Sequence, residues 1–246
     1  MAAACGDQGA AKLGLDAAAT DGATVGSDSR TFDVHVSDAS GSGSAGIAGA
    51  RVCVLQQSDC EMTDAHGDAT VTVRGMPYDL SFALEVTANG YLSTVELGRV
   101  YAQLDVSVYT VPTDIALLPV NAANTLFAAA GFSYSASTGY VRMLVKDGVS
   151  LGGEAGATIT LAGAGSAAYL DATGRPDPAL TAIGSGGGVL LGGVPPGPIT
   201  LTVNAVNKAC IVQALGWDGS GSAAMTGVAA AGALTDAIVL ACYNTH

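Results

Sequence analysis

The sequence predicts an all-β chain: two antiparallel β-sandwiches in tandem, with one short helix at their junction. Three observations carry that expectation. Apolar and polar residues alternate along several short runs, the period of a strand with one face in a core. Gly, Pro, Asn and Asp separate those runs at short intervals. Segments of the second half repeat segments of the first, and one unit used twice is more economical than a single large fold. The 246 residues suffice for two such units.

Residues 1–29 carry no apolar periodicity and read as a tether rich in Gly, Ala and Asp, kept solvated by Asp16, Asp21 and Asp28. The first sandwich is expected over 30–118. Its strands begin with Phe32, Val34 and Val36 facing inward and Asp33, His35 and Ser37 facing outward. Ala69, Val71 and Val73 alternate with Thr70, Thr72 and Arg74. Leu80, Phe82, Leu84 and Val86 alternate with Ser81, Ala83, Glu85 and Thr87, and Ala102, Leu104, Val106 and Val108 repeat the pattern. Turns are expected at Gly41–Gly46, Asp64–Asp68, Gly75-Met76-Pro77 and Asn89-Gly90. A connector over 119–139 holds the helix, capped by Asn121 or Asn124, favoured from Thr125 to Ala130 and ended by Gly131.

The second sandwich is expected over 140–246. Gly156–Leu161 matches Gly49–Val54, and Pro196–Val203 matches Pro77–Leu84. The offset grows between the two matches, and the extra residues fall in a loop from Tyr169 to Pro178. Trp217 is expected to seal this second core.

Composition narrows the function. The net charge of -12 disfavours phosphate-bearing partners, so no nucleic acid is expected, and the nine Lys and Arg residues form no patch. Only 12% of residues are charged, about half the usual share. The outward strand faces must therefore be Thr, Ser, Ala and Gly, which are cheap to desolvate. The most apolar long window, Ala223–Cys242, is mostly small residues and contains Asp236, unlike a membrane span.

Five cysteines stand at 5, 53, 60, 210 and 242. None forms a C-x-x-C pair or meets a histidine at zinc-ligand spacing. Cys53 and Cys60 flank a short hairpin, Leu55–Ser58, and alternation turns Cys53 outward from Val52 and Val54. Bridges Cys53–Cys60 and Cys210–Cys242 are expected, against the competing reading of five reduced thiols. Cys5 is then left over. Met1-Ala2-Ala3-Ala4-Cys5 resembles the end of a bacterial lipoprotein signal, which implies a lipid on Cys5 as the membrane contact; the competing reading is a free cysteine in a loose tail.

The first half also carries a strand at Val34–Ser37, then Gly49-Ala50-Arg51-Val52-Cys53-Val54, Thr63-Asp64 with Gly67, Pro77, and Gly90-Tyr91. This set resembles the carboxypeptidase regulatory-like domain, a transthyretin-like β-sandwich. The second half keeps Gly156-Ala157 and the Pro195–Gly197 turn, substitutes glycines at 184 and 186–188 for Thr-Asp-x-x-Gly, and lacks the Gly-Tyr. The resemblance covers roughly residues 30–206. It implies an accessory or binding module of a bacterial surface or secreted protein, with no catalytic residues of its own.

Other motifs reduce to structure. Gly41–Gly46 fits G-x-G-x-x-G, but a strand rather than a helix follows it, so it reads as a hairpin loop. His66 lies between Asp64 and Asp68 in a turn that could hold a cation but reads as a plain turn. His35 stands on an outward face, and His246 ends the sequence. No H-E-x-x-H occurs. Tyr134, Tyr140 and Tyr169 could stack on a sugar, though packing is the plainer role.

No catalytic residue, cofactor or metal is therefore expected. The expected function is a non-catalytic cell-surface or secreted module for adhesion, scaffolding or binding of a protein or glycan. The alternative is a structural subunit that assembles with itself. For that reading the charge-free runs Thr158–Leu161, Ile199–Val203 and Ala237–Cys242 are the candidate open edges.

Overall fold

The computed structural model describes residues 30–40, 45–55, 57, 59–74, 81–100, 109–110, 114–150, 152–161, 165–212 and 224–245. The first half forms β1 (Arg30–Asp38), β2 (Arg51–Val54), β3 (Cys60–Met62), β4 (Asp68–Val73), β5 (Ser81–Thr87), β6 (Ser93–Val100), β7 (Tyr109–Thr110) and β8 (Asp114–Leu117). Helix α1 (Val120–Ala129) follows. The second half forms β9 (Gly139–Asp147), β10 (Thr158–Leu161), β11 (Ser166–Tyr169), β12 (Gly188–Val194), β13 (Gly197–Asn204), β14 (Lys208–Val212), β15 (Ala224–Ala229) and β16 (Ala233–Asn244). The chain is all-β with one helix among the described residues. Cys5 and the tether, the Gly75–Pro77 turn, the Ala102–Val108 alternation, Trp217 and His246 lie outside the described residues.

Two small sheets, β4-β1-β8 and β10-β13-β15, flank a large one of order β11-β12-β9-β16-β6-β5-β2-β3, to which β14 and β7 add on β16 and β6. Most pairs are antiparallel, but β1–β8, β9–β16 and β6–β16 are parallel, so two of the three sheets are mixed and β10-β13-β15 is antiparallel throughout. The β6–β16 pair carries the large sheet from one half of the chain into the other.

The small sheets lie on opposite faces of the large one. Phe32, Val34 and Val36 of β1, Val71 and Val73 of β4, and Ile115 and Leu117 of β8 bury against Val52, Val54, Phe82, Leu84 and Val86. Ile159, Ile199, Leu201 and Val203 bury against Val141, Met143, Val145, Val189 and Leu191, and this core also takes Ala83, Val95 and Leu97 from β5 and β6. Strand neighbours point to opposite faces, so Ala83 and Leu84 belong to different cores.

This corrects two expectations of a solvated outer face. Ala83 is 3% exposed, and Cys53 is buried at 8% although it points away from Val52 and Val54. The β2–β5–β6 region has a core on each side, and the small outward residues noted in the sequence are what fit there.

Helix α1 covers the seam on the face shared with β4-β1-β8. Ala123 and Phe127 pack with Leu92, Tyr140, Leu170, Leu190 and Leu234, and the Phe127 ring stacks on Tyr140 at 3.9 Å between centroids. The helix starts earlier than expected: Pro119 occupies the N-cap with no side-chain cap bond, so neither Asn121 nor Asn124 caps it. Proline sets an extended backbone there and lacks the N–H that a helix start leaves unpaired. At the other end Gly131, at φ 76°, closes the helix as expected. The Phe132 amide donates to Phe127 O and the Gly131 amide to Ala128 O, the Schellman pattern.

The repeat holds at the level of single hydrogen bonds. In the first half Val36 N donates to Gly67 O, Ile47 N to Val36 O, Gly49 N to Thr63 O and Thr63 N to Ala50 O. In the second, Val145 N donates to Gly187 O, Glu154 N to Val145 O, Gly156 N to Ile183 O and Ile183 N to Ala157 O. Gly49, Gly67, Gly156 and Gly187 all have positive φ.

Candidate functional site

Against the outward side of β1 and β4 an open hollow of about 650 Å³ is lined by Asp33, His35, Met62, Asp64, Asp68 and Asp114. The Thr63–Asp68 turn builds one wall. Asp64 Oδ1 accepts from the amides of His66 at 2.8 Å and Asp68 at 3.0 Å, and the amide bonds, that from Asp68 foremost, hold its carboxyl below the usual range. That carboxylate fastens its own turn, as the plain-turn reading of His66 expects. His35 Nδ1 lies 2.7 Å from Asp68 Oδ1, and Thr70 Oγ1 donates to Asp33 at 2.9 Å. Among the described residues no three His, Cys, Asp or Glu side chains are grouped to hold a metal ion. The hollow can offer a partner an acidic, hydrogen-bonding surface.

Each sandwich has one further polar corner, at equivalent places. Asp38 ends β1, and its Oδ1 accepts from the amide and hydroxyl of Ser40. Its Oδ2 accepts from Tyr91 Oη at 2.9 Å, and these bonds, Ser40 first, lower the Asp38 carboxyl. Asp147 ends β9 and accepts from the Val149 and Ser150 amides. Its Oδ2 meets Lys208 Nζ at 2.5 Å, and the same Nζ donates to Glu154 Oε2 at 2.7 Å.

The Gly-Tyr that the second half lacks is thus replaced by Asn207-Lys208. Asn207 supplies the left-handed backbone, φ 57° against 85° at Gly90, and Lys208 supplies the donor. Lys208 is the first cause holding the Asp147 carboxyl far below its ordinary range.

A third cluster was not foreseen. Glu96 on β6 stands opposite Asp236 on β16 in the parallel pair. Arg142 on β9 donates through Nε to Asp236 Oδ1 at 2.8 Å and through its terminal nitrogen to Asp236 Oδ2. Glu96 is 5% exposed and its Oε2 has no hydrogen-bond partner. A charged residue between Val95 and Leu97, in a run sharing their burial, was the available signal.

Four of the five cysteines are paired, in the two couples named from the sequence. Cys53–Cys60 joins facing residues of β2 and β3, and Cys210–Cys242 joins facing residues of β14 and β16. Gly46, the described end of the glycine-rich loop, bridges Ser37, and the next regular element is β2, not a helix. Tyr140 and Tyr169 are buried, while Tyr134 is exposed and stacks toward Tyr140, so the three do not form a shared sugar platform. Of the three charge-free runs, only Thr158–Leu161 is an edge strand, β10. Ile199–Val203 lies inside β13, flanked by β10 and β15, and Ala237–Cys242 lies inside β16, flanked by β9 and β14.

No family model matches the chain, and no curated protein matches it, so the carboxypeptidase regulatory-like resemblance stands on the quoted residues alone. Solved structures do match at low similarity. The TIE protein of Bacillus anthracis is 11% identical over 88% of this chain, with a TM-score of 0.23, and this chain spans 34% of its length. A mutant form of the shaft pilin SpaA of Lactobacillus rhamnosus GG is 10% identical over 89% of this chain and 100% of its own, with a TM-score of 0.24. A streptococcal ancillary pilin is 14% identical over 86% of this chain and 62% of its own, with a TM-score of 0.20.

Proposed function

We propose that this chain is a non-catalytic module of a bacterial cell surface or secreted protein, serving adhesion, scaffolding or the binding of a protein or glycan. The observation that carries the reading is the pairing of two cross-strand disulfides with a fused double sandwich. Disulfides persist in oxidising compartments. A shared sheet with a helix over the seam suits a rigid spacer that presents a surface. The acidic hollow at Asp33, Asp64, Asp68 and Asp114 is the surface to test first. Crosslinking on intact cells, followed by identification of the attached peptide or glycan, tests it. Capture through hollow-lining peptides supports the reading. A chain recovered from the cytosol with every cysteine alkylated before reduction removes it.

A second reading, a subunit that assembles with itself, is favoured by β10. This edge strand carries Thr158, Ile159, Thr160 and Leu161, with no charge to guard its unpaired backbone groups. Light scattering of the full chain across concentration, beside Thr160→Lys, decides it. Association that the lysine abolishes supports assembly, and a monomer at high micromolar concentration discards it.

A further inference from the structure

The seam between the two sandwiches holds two carboxyl groups and one guanidinium. Glu96 and Asp236 face each other where β6 meets β16. Arg142 is committed to Asp236 through both of its donor edges. Glu96 is almost wholly buried, and its Oε2 accepts nothing and donates nothing. The hydroxyl of Thr94, its neighbour on the same face, turns to Leu92 O instead. A buried carboxylate without donors is among the costliest groups a protein can hold, whereas a buried carboxylic acid is far cheaper.

We propose that this seam is a proton-dependent lock: Glu96 holds β6 against β16 as a neutral acid, and loss of its proton loosens the junction of the two sandwiches. The surroundings leave few other ways to balance a charge. From β16 the facing titratable group is Asp236, which repels a second negative charge. From β9 it is Arg142, whose attraction is the smaller contribution. From β5 the facing residue is Leu84, and β8, which also approaches β6, turns Ile115 and Leu117 inward. Helix α1, on the same face, carries no acidic or basic residue. Burial first, and then Asp236, push the Glu96 carboxyl up to about 8.

The sign follows from linkage. A group raised in the closed state keeps its full contribution below its ordinary value of 4.5, and loses it as pH rises through the value in the closed state. The junction should open about tenfold more readily per pH unit over that interval, and no further above it.

Amide hydrogen exchange of the full chain, corrected for intrinsic rate, is the test. Protection of Ser93–Glu96 and Ala233–Asp236 should fall about tenfold per pH unit between roughly pH 5 and 8. Protection in the β1–β4 pairing should stay level over the same range. In Glu96→Gln the seam should lose its pH dependence. Equal slopes in the wild type and Glu96→Gln would overturn the proposal.

Should the variant fold poorly, carbon NMR of the wild type decides alone. The sequence has four glutamates, and one carboxyl resonance should titrate well above the other three. Four resonances all titrating in the ordinary acid range would refute the lock.

Discussion

Gly67 and Gly90 share a backbone conformation and differ in the space beside it, so they separate two costs. Their φ values are 88° and 85°. A Cβ at Gly90 would meet nothing within 4 Å, whereas one at Gly67 would lie 2.6 Å from Gly46 Cα and Val36 O and 2.8 Å from Ile47 N. All three of those atoms are backbone and belong to the β1–β2 loop crossing that pairs Val36 with Gly67 and Ile47. Gly90→Ala should therefore cost only left-handed strain, about 1–2 kcal/mol. Gly67→Ala adds a clash with groups that move only by breaking hydrogen bonds, and overpacking of this kind costs roughly 1–3 kcal/mol more. The expected total is about 2–5 kcal/mol, a large part of the stability of a domain this size. Urea unfolding with a common slope measures both, and the difference in midpoint isolates the clash. Equal midpoints for the two variants would refute the claim that this turn is pressed against β1.

Three other outcomes are expected. Removing Cys210–Cys242, which closes 32 residues, should cost roughly 3.5 kcal/mol, and removing Cys53–Cys60, which closes 7, roughly 2.5, by paired Cys→Ala variants in denaturant. Phe127→Ala should cost about 3–5 kcal/mol and raise hydrogen exchange in α1 and at Leu234, because the ring is fully buried between helix and seam. Lys208→Met should shrink the acid-side loss of stability: Asp147, lowered chiefly by Lys208, contributes stability that is present above its ordinary 3.8 and lost as pH falls through its depressed value, so the melting temperature of the variant should vary less between roughly pH 5 and 2.

What could be read from the sequence depended on whether a face met solvent. In β1 and β4 it does: Phe32, Val34, Val71 and Val73 are buried beside exposed Asp33 and Thr70, so period two was legible. In β5 and β6 both faces meet a core, and Ala83, Val95 and Leu97 sit where an isolated sandwich would show water. Local alternation cannot report a second core supplied by the other half of the chain.

Which of the three charge-free runs is the open edge was likewise not legible locally. Thr158–Leu161, Ile199–Val203 and Ala237–Cys242 are equally free of charge, and only topology leaves the first open and flanks the other two. Asn207-Lys208 escaped notice because it divides what Gly90-Tyr91 does: one residue takes the left-handed turn, and the next reaches the aspartate that ends the first strand. A motif search asks for residue types, whereas the fold asks for a backbone angle and a donor. Asn with Lys meets both requirements as Gly with Tyr does, with one difference in chemistry. Tyr91 gives Asp38 a neutral hydroxyl, whereas Lys208 gives Asp147 a charge and draws in Glu154 as a second acceptor. The second sandwich therefore ties its corner with an ion pair where the first uses a hydroxyl-to-carboxylate hydrogen bond; acid loosens both by protonating the aspartate, and in the second it also removes the attraction to Lys208.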